Sequence, residues 1–246
     1  MKCWGDDDYG ETLVPDGVWS DIGTGFDVSC ALDLTGLTTC WGDRPGTTDV
    51  PKTVPTGDGH VQVVVGSNWA CARTATGNAS CWGSDSYDIA DEVPSQVTWA
   101  DLEAGYNSAC GLDTDGQIHC WGACSQGECD PPNGTYIDVG IGGSFGCGLD
   151  ESGGAVCWGQ DYYGQVSERP SETGFVHLAV GHEHVCALAS TGRARCWGRN
   201  DSGESAPPTT TFSRLALGEA HSCGLTPTGE IECWGRSSNN ELDVPD

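Results

Sequence analysis

The segment Cys30-Ala31-Leu32-Asp33-Leu34-Thr35-Gly36-Leu37-Thr38-Thr39-Cys40-Trp41-Gly42 holds the key to the architecture. Its two cysteines stand ten residues apart, with Asp33 and Gly36 between them. Asp33 suits the first position of a type I turn, and Gly36 supplies the positive φ that closes a three-residue hairpin loop. Such a loop is symmetric about Thr35 and sets Cys30 opposite Cys40 on adjacent antiparallel strands. Ladder alternation makes the two a pair without mutual hydrogen bonds, the kind in which cross-strand Cα atoms come closest. A disulfide is then reachable without strain.

The same spacing of ten recurs between Cys71 and Cys81, Cys110 and Cys120, Cys147 and Cys157, Cys186 and Cys196, and Cys223 and Cys233. Cys124 and Cys129 make a short extra pair, which leaves Cys3 alone. Trp-Gly follows the second cysteine of every long pair, and follows Cys3 too. This is an internal repeat with a period of 37 to 41 residues. Counting back from each first cysteine, a glycine stands at five (Gly25, Gly66, Gly105, Gly142, Gly181, Gly218). At eight stands an aliphatic residue (Ile22, Val63, Leu102, Val139, Leu178, Leu215), and at eleven a ring, as at Trp19, Trp99 and Phe175. A proline closes each unit, as at Pro15, Pro51 and Pro94. Each unit therefore reads as strand A ending at glycine, strand B with the first cysteine, strand C with Cys-Trp, and a short strand D ending at proline.

Zinc is the competing use of paired cysteines. The spacing differs from Cys-x-x-Cys and histidines do not accompany most pairs, so structural disulfides are the reading adopted. They imply an oxidising compartment: secreted, periplasmic or cell surface. The Trp of each Cys-Trp-Gly packs between neighbouring sheets.

These residues carry a resemblance. Leu178-Ala-Val-Gly181-x-x-His184-x-Cys-Ala-Leu188…Thr191-Gly192…Cys196-Trp-Gly198…Gly203…Pro207 resembles the repeat of the regulator of chromosome condensation family. That resemblance implies a β-propeller. The short period and the Trp-Gly…Val-Pro punctuation look most like bacterial members, including the propeller-type β-lactamase inhibitor proteins. The cysteine pairs depart from that inhibitor type and suit an exported, disulfide-rich variant. The exchange-factor activity of the nuclear founder is not carried over.

The expected fold is all-β: one β-propeller domain over residues 1–246, with six complete four-stranded blades and a partial seventh. The units are 2–17 (partial), 18–55, 56–94, 95–132, 133–170, 171–208 and 209–246. A six-bladed ring with a spare segment is the alternative, and a spare segment invites self-association through an unpaired blade edge. In the seven-position frame Cys3 is unpaired because its partner strand is absent.

Composition narrows the function. The formal net charge is −26, from 36 acidic residues against ten lysines and arginines. Such a field repels phosphate backbones, so nucleic acid is excluded as a partner, and no apolar run is long enough to insert in a membrane. The B–C turns are short and uniform; the A–B and C–D loops vary and share one face, the face read as recognising a protein. Its candidate binding residues are Tyr9, Trp69, Tyr87, Tyr106, Tyr162, Tyr163 and His182, with Phe26 and Asn68 nearby and acids such as Asp6 to Asp8, Asp27, Asp85, Asp161 and Glu183 interleaved. Ordinary turn chemistry is the competing reading of these loops. No catalytic constellation stands out, no cofactor is expected, and the chain reads as a non-enzyme. The leading function is a protein-binding scaffold, an enzyme inhibitor being one form of it. A self-assembling surface protein is the alternative. The third reading is a metal-dependent enzyme around His182, His184 and His221. Asp6-Asp7-Asp8 lacks the spacing and terminal glutamate of a calcium loop.

Overall fold

The computed structural model describes residues 1–42, 54–57, 59–83 and 87–245; Pro51 and Asp85 lie outside them. Six antiparallel three-stranded sheets follow one another along the chain. They are Trp19–Thr24, Ser29–Asp33 and Thr38–Trp41 (β1–β3); His60–Val65, Trp69–Thr74 and Ala79–Gly83 (β4–β6); and Trp99–Ala104, Ser108–Asp113 and Ile118–Gly122 (β7–β9). Then come Tyr136–Ile141, Phe145–Asp150 and Ala155–Gly159 (β10–β12); Phe175–Val180, His184–Ala189 and Ala194–Gly198 (β13–β15); and Arg214–Leu217, His221–Leu225 and Ile231–Gly235 (β16–β18). The first strand of each sheet packs on the first strand of the next, from β1 through β4, β7, β10 and β13 to β16, so these strands are innermost and the sheets are blades of a propeller.

The fourth strand expected in each blade is absent among the described residues. Two causes act together. The closing prolines carry no N–H for a ladder. The loop before them spends its polar groups locally: Gln126 N donates to Glu128 Oε2 at 2.6 Å, and Ser202 N to Glu204 Oε2 at 2.7 Å.

The hairpin between second and third strands forms as the sequence dictates. Gly36 N donates to Asp33 O and Asp33 N to Leu37 O, both at 3.0 Å. The Asp33 carboxylate accepts from Thr35 N and Leu37 N, and Gly36 takes φ +81°. Cys30 then faces Cys40 across the ladder. The register is the same in the other blades, where Cys71 faces Cys81, Cys110 faces Cys120, Cys147 faces Cys157, Cys186 faces Cys196 and Cys223 faces Cys233. All six pairs form disulfides, with Cα atoms 4.0–4.1 Å apart. Cys124 bonds to Cys129, and Cys3 is free.

Blades stick together through one recurring cluster. Between the fifth and sixth, Cys186 and Leu188 of one blade bury against Phe212, Leu215 and Trp234 of the next. The aliphatic column fills these interfaces, with Val63, Leu102, Val139, Leu178 and Leu215 all buried. The glycine column has a different cause. A Cβ on Gly105 would meet Gly142 O at 2.5 Å, and one on Gly142 or Gly181 would meet the next blade's glycine carbonyl at 2.6 Å. Only a residue without Cβ lets adjacent blades close that tightly around the axis.

A bulge in each of the first five inner strands, as between Tyr136 and Asp138, offsets the register by one residue. The residue after it is polar: Asp21, Gln62, Asp101, Asp138 and His177. Several of these side chains bridge to the next blade's inner strand, whose facing edge has no ladder partner. Asp21 Oδ2 accepts from Val63 N at 2.8 Å, Gln62 Oε1 from Leu102 N at 3.1 Å, and Asp138 Oδ2 from Leu178 N at 2.7 Å. Those edge amides are thereby satisfied.

Candidate functional site

Backbone bonds put the A–B and C–D loops on one face. Ala123, Gln160, Arg199 and Arg236, each just past a Cys-Trp-Gly, donate to carbonyls of the A–B loops at Asn107, Ser144, Glu183 and Ala220. The B–C turns lie at the opposite end, where Gly36 O accepts from His60 N of the following blade.

Three side chains meet at the mouth of this face. Phe26 packs edge-on against Tyr106 at 5.6 Å, and Tyr106 edge-on against His182 at 5.7 Å. They occupy the same A–B loop position in the first, third and fifth blades, one residue after the column glycine. Loop backbones hold the last two there: Tyr106 O accepts from Ser67 N at 3.1 Å, and His182 O from Gly143 N at 2.9 Å. Phe26 is 52% exposed and Tyr106 38% exposed. This bridge of rings across alternate blades was not legible in the sequence, because it depends on ring curvature. The one signal was the shared offset from the glycine column.

Outside it, Tyr9, Tyr87 and Tyr163 each stand five residues after a Trp-Gly tryptophan, and Tyr162 is adjacent. All four are exposed. Arg199 lies 5.4 Å over the Tyr163 ring and pairs with Glu183 at 2.6 Å. Arg236 pairs with Glu219 at 2.9 Å, and that pairing lowers the Glu219 pKa and raises that of Arg236.

Trp69 does not belong to this surface. It is 1% exposed and donates its indole N–H to Tyr106 O at 3.2 Å. It stands two residues before a first cysteine, in the column of Val28, Ser108, Phe145, His184 and His221, of which Val28, Ser108, Phe145 and His184 are likewise buried. The column gave the warning.

The histidines separate for the same reason. His184 is fully buried, and Ser222 Oγ, which donates to Glu204 O at 3.0 Å, accepts from His184 Nε2 at 2.8 Å. Burial lowers its pKa to about 4, helped by the charges of His221, Arg199 and His182. His182 instead packs on Tyr106 in the loop. Among the described residues no group of three or more histidine, cysteine or acidic side chains is arranged to hold a metal ion. In the N-terminal acidic run, Asp6 accepts from Asp8 N and Asp7 from Thr12 N, which is turn capping.

The loops also carry a column the sequence reading missed. Seven residues after the Cys-Trp-Gly tryptophans Trp4, Trp82, Trp121, Trp158 and Trp197, residues Glu11, Ile89, Glu128, Gln165 and Glu204 offer their backbone carbonyl to the Cys-Trp-Gly tryptophan of the next blade. Trp41 reaches Glu11 O at 2.8 Å, Trp121 Ile89 O at 3.0 Å, Trp158 Glu128 O at 2.8 Å, Trp197 Gln165 O at 2.9 Å and Trp234 Glu204 O at 2.9 Å. Trp4 makes the same bond, at 2.9 Å, to Glu241 O at the other end of the chain.

The family model described as Regulator of chromosome condensation (RCC1) repeat matches residues 99–127, 136–165 and 175–204. No curated protein matches the sequence. Solved structures do. The ectodomain of the receptor kinase CR4 from Physcomitrella patens is 26% identical with a TM-score of 0.76, over 92% of this chain and 65% of that one. This chain thus spans just under two thirds of that ectodomain. The CRINKLY WD40 ectodomain of the Arabidopsis thaliana receptor kinase ACR4 is 22% identical with a TM-score of 0.74, over 89% of this chain and 86% of that one. Prp20p from Saccharomyces cerevisiae is 18% identical with a TM-score of 0.75, over 92% and 73%. The third, fourth and fifth blades thus match the regulator of chromosome condensation repeat, and the chain's fold is similar to that of these propellers.

Proposed function

We propose that this protein is an exported binding scaffold that captures a protein partner on its A–B/C–D loop face. The observation that carries the reading is the ring bridge Phe26–Tyr106–His182 at the mouth of the propeller, with Phe26 and Tyr106 exposed and the Tyr106 and His182 loops joined by backbone bonds to the neighbouring blades. Rigid aromatic groups ringed by Tyr9, Tyr87, Tyr162 and Tyr163, and by paired charges at Arg199 and Arg236, have the composition of an interface centre and its rim. Prp20p, similar in fold, has binding properties to Gsp1p and histones. Seven disulfides fit an extracellular or periplasmic setting. The resemblance to propeller-type β-lactamase inhibitors makes secreted hydrolases the first partners to try. Retention of a partner by immobilised protein should fall by about tenfold or more on Phe26→Ala or Tyr106→Ala, with the thermal midpoint held. Equal retention by both variants removes the mouth from the reading.

The same reading extends the repeat family to the whole chain and gives the ring seven places, six full blades and one holding residues 2–17. The Trp4–Glu241 bond supports this, since it repeats the bond found between neighbouring blades elsewhere in the ring. A protected Trp4 indole N–H in hydrogen exchange is expected. An indole that exchanges as freely as in a peptide would leave six places.

A further inference from the structure

We infer that the Cys124–Cys129 disulfide is a thiol-exchange site on the loop face, a clasp that small thiols open while the blade disulfides stay shut. Its opening depends on the loop alone and not on capture of a protein partner. The disulfides stand in two settings. Those of the blades join facing residues of a second and a third strand, where the ladder keeps their Cα atoms 4.0–4.1 Å apart. In the first five blades the second-strand cysteine, Cys30, Cys71, Cys110, Cys147 or Cys186, is at most 1% exposed. In the sixth, Cys223 and Cys233 are half-buried and face each other within the same ladder. Cys124 and Cys129 have no ladder. They lie in the C–D loop between β9 and β10, with Cα atoms 5.2 Å apart. Cys124 is exposed, alone among the bonded cysteines, and Cys129 is half-buried.

The other loops show what this bond replaces. Cys124 and Cys129 stand three and eight residues after Trp121. At the same two positions in three other C–D loops, a side-chain oxygen accepts from a backbone amide. Asp7 Oδ1 accepts from Thr12 N at 2.9 Å, Asp161 Oδ1 from Val166 N at 2.8 Å, and Asn200 Oδ1 from Ser205 N at 3.1 Å. The loop shape therefore calls for one clasp between these positions, and a hydrogen bond is enough to make it. The third blade makes it from sulfur. Its clasp answers to thiols, where its counterparts are inert to them.

Opening the clasp leaves the blade intact and loosens what it encloses. Inside the loop, Gln126 N donates to Glu128 Oε2 at 2.6 Å and Asp130 N to Gly127 O at 3.1 Å. The loop is also tied outward. Ala123 N donates to Asn107 O at 2.8 Å, in the A–B loop that presents Tyr106. Glu128 O accepts from Trp158 Nε1 at 2.8 Å in the next blade. The loop face thus has a clasped and an open form, and the thiols around it set which one is present.

The chemistry is an exchange in two steps. A small thiolate attacks the exposed Cys124 sulfur and the Cys124–Cys129 bond breaks. Cys129 leaves as its thiolate and takes a proton from water, while Cys124 keeps the small thiol as a mixed disulfide. A second small thiolate then attacks the small-thiol sulfur and releases Cys124 as its thiolate. The protein has gained two thiols, and two small thiols have been oxidised to one disulfide.

The test treats the folded, oxidised protein with reduced glutathione, then alkylates free thiols and maps them by mass. Cys124–Cys129 should open about tenfold or more faster than any blade pair, with glutathione first on Cys124. Glutathione found first on a blade cysteine, or a Cys124–Cys129 bond that opens no faster than the blade pairs, overturns the site. Hydrogen exchange reads the clasp itself. In the opened protein the amides of Gln126 and Asp130 should exchange about tenfold or more faster, with hairpin amides such as Gly153 N, bonded to Asp150 O, unchanged. Cys124→Asp with Cys129→Val copies the Asp161–Val166 clasp and should keep both loop amides protected in glutathione. Cys124→Ala with Cys129→Ala should leave them unprotected without it. Full protection in the alanine pair would show that the disulfide clasps nothing, and would overturn the inference.

Discussion

At the residue scale, the sequence columns separate structural from presented side chains. Trp69 and His182 both read as loop residues of the recognising face. The column two before cysteine buries the first, and the column just after glycine presents the second. His184, in the burying column, gives a pH-dependent term. Its folded pKa is depressed to about 4 by burial, below the ordinary value of 6.5. The neutral form is the one that fits, so stability is complete above 6.5 and falls as pH drops towards 4. The full loss is on the order of 3 kcal/mol at about 1.4 kcal/mol per unit. His184→Gln should flatten the dependence of the urea midpoint on pH between 6.5 and 4; an unchanged slope assigns the dependence elsewhere. The axial acids act in the opposite sense. Burial raises Asp21 and Asp101, and burial with the charges of Asp101 and Asp138 raises Glu103 well above its ordinary value. Ionising them costs stability, which is therefore highest below the ordinary carboxylate range and is lost as pH rises through the raised values. Glu103→Gln should increase the urea midpoint at pH 7, and a decrease would mean the carboxylate is held by contacts rather than opposed by its neighbours.

At the element scale, the hairpin between second and third strands is the unit the sequence specifies most fully. Asp33, Gly36 and the paired cysteines agree in turn type, register and cross-link, and local agreement of this kind repeats in every blade. Each long disulfide closes a small loop. Replacing Cys186 and Cys196 together by alanine should cost about 2–3 kcal/mol, read as a lower thermal midpoint with the fold retained. The same change at Cys124 and Cys129, in a loop with no ladder around it, should cost less. Equal losses would show that the blade disulfides act through something other than the strands they join. The fourth strand failed at this scale. Its Val-Pro pattern reads as an edge strand, yet the loop's own caps and the tryptophan indoles consume the polar groups a ladder would need.

At the scale of the whole molecule, the formal net charge is −26, and the inner strands add Asp21, Asp101 and Glu103, which among the described residues only Arg73 and Arg214 counter. Self-repulsion then opposes the compact state. Raising the salt concentration from about 0.01 M to about 0.15 M shortens the screening length from about 30 Å to about 8 Å, so the urea midpoint should rise over that range. A midpoint indifferent to salt would mean that the arginine pairs at Arg199 and Arg236 and the axial bridges already offset the field.

The sequence alone determined the strand hairpins, their disulfides, the number of repeated hairpin units and the face on which variable loops emerge. All of these follow from contacts within about forty residues, where turn chemistry and strand alternation act directly. Only the tertiary structure decided that Phe26, Tyr106 and His182 meet, that Trp69 turns inward, and that Ile22 and Leu225 are left exposed on the first and sixth blades. Those depend on how six sheets curve round a common axis, and the curvature is the sum of every interface between blades rather than a property of any one of them.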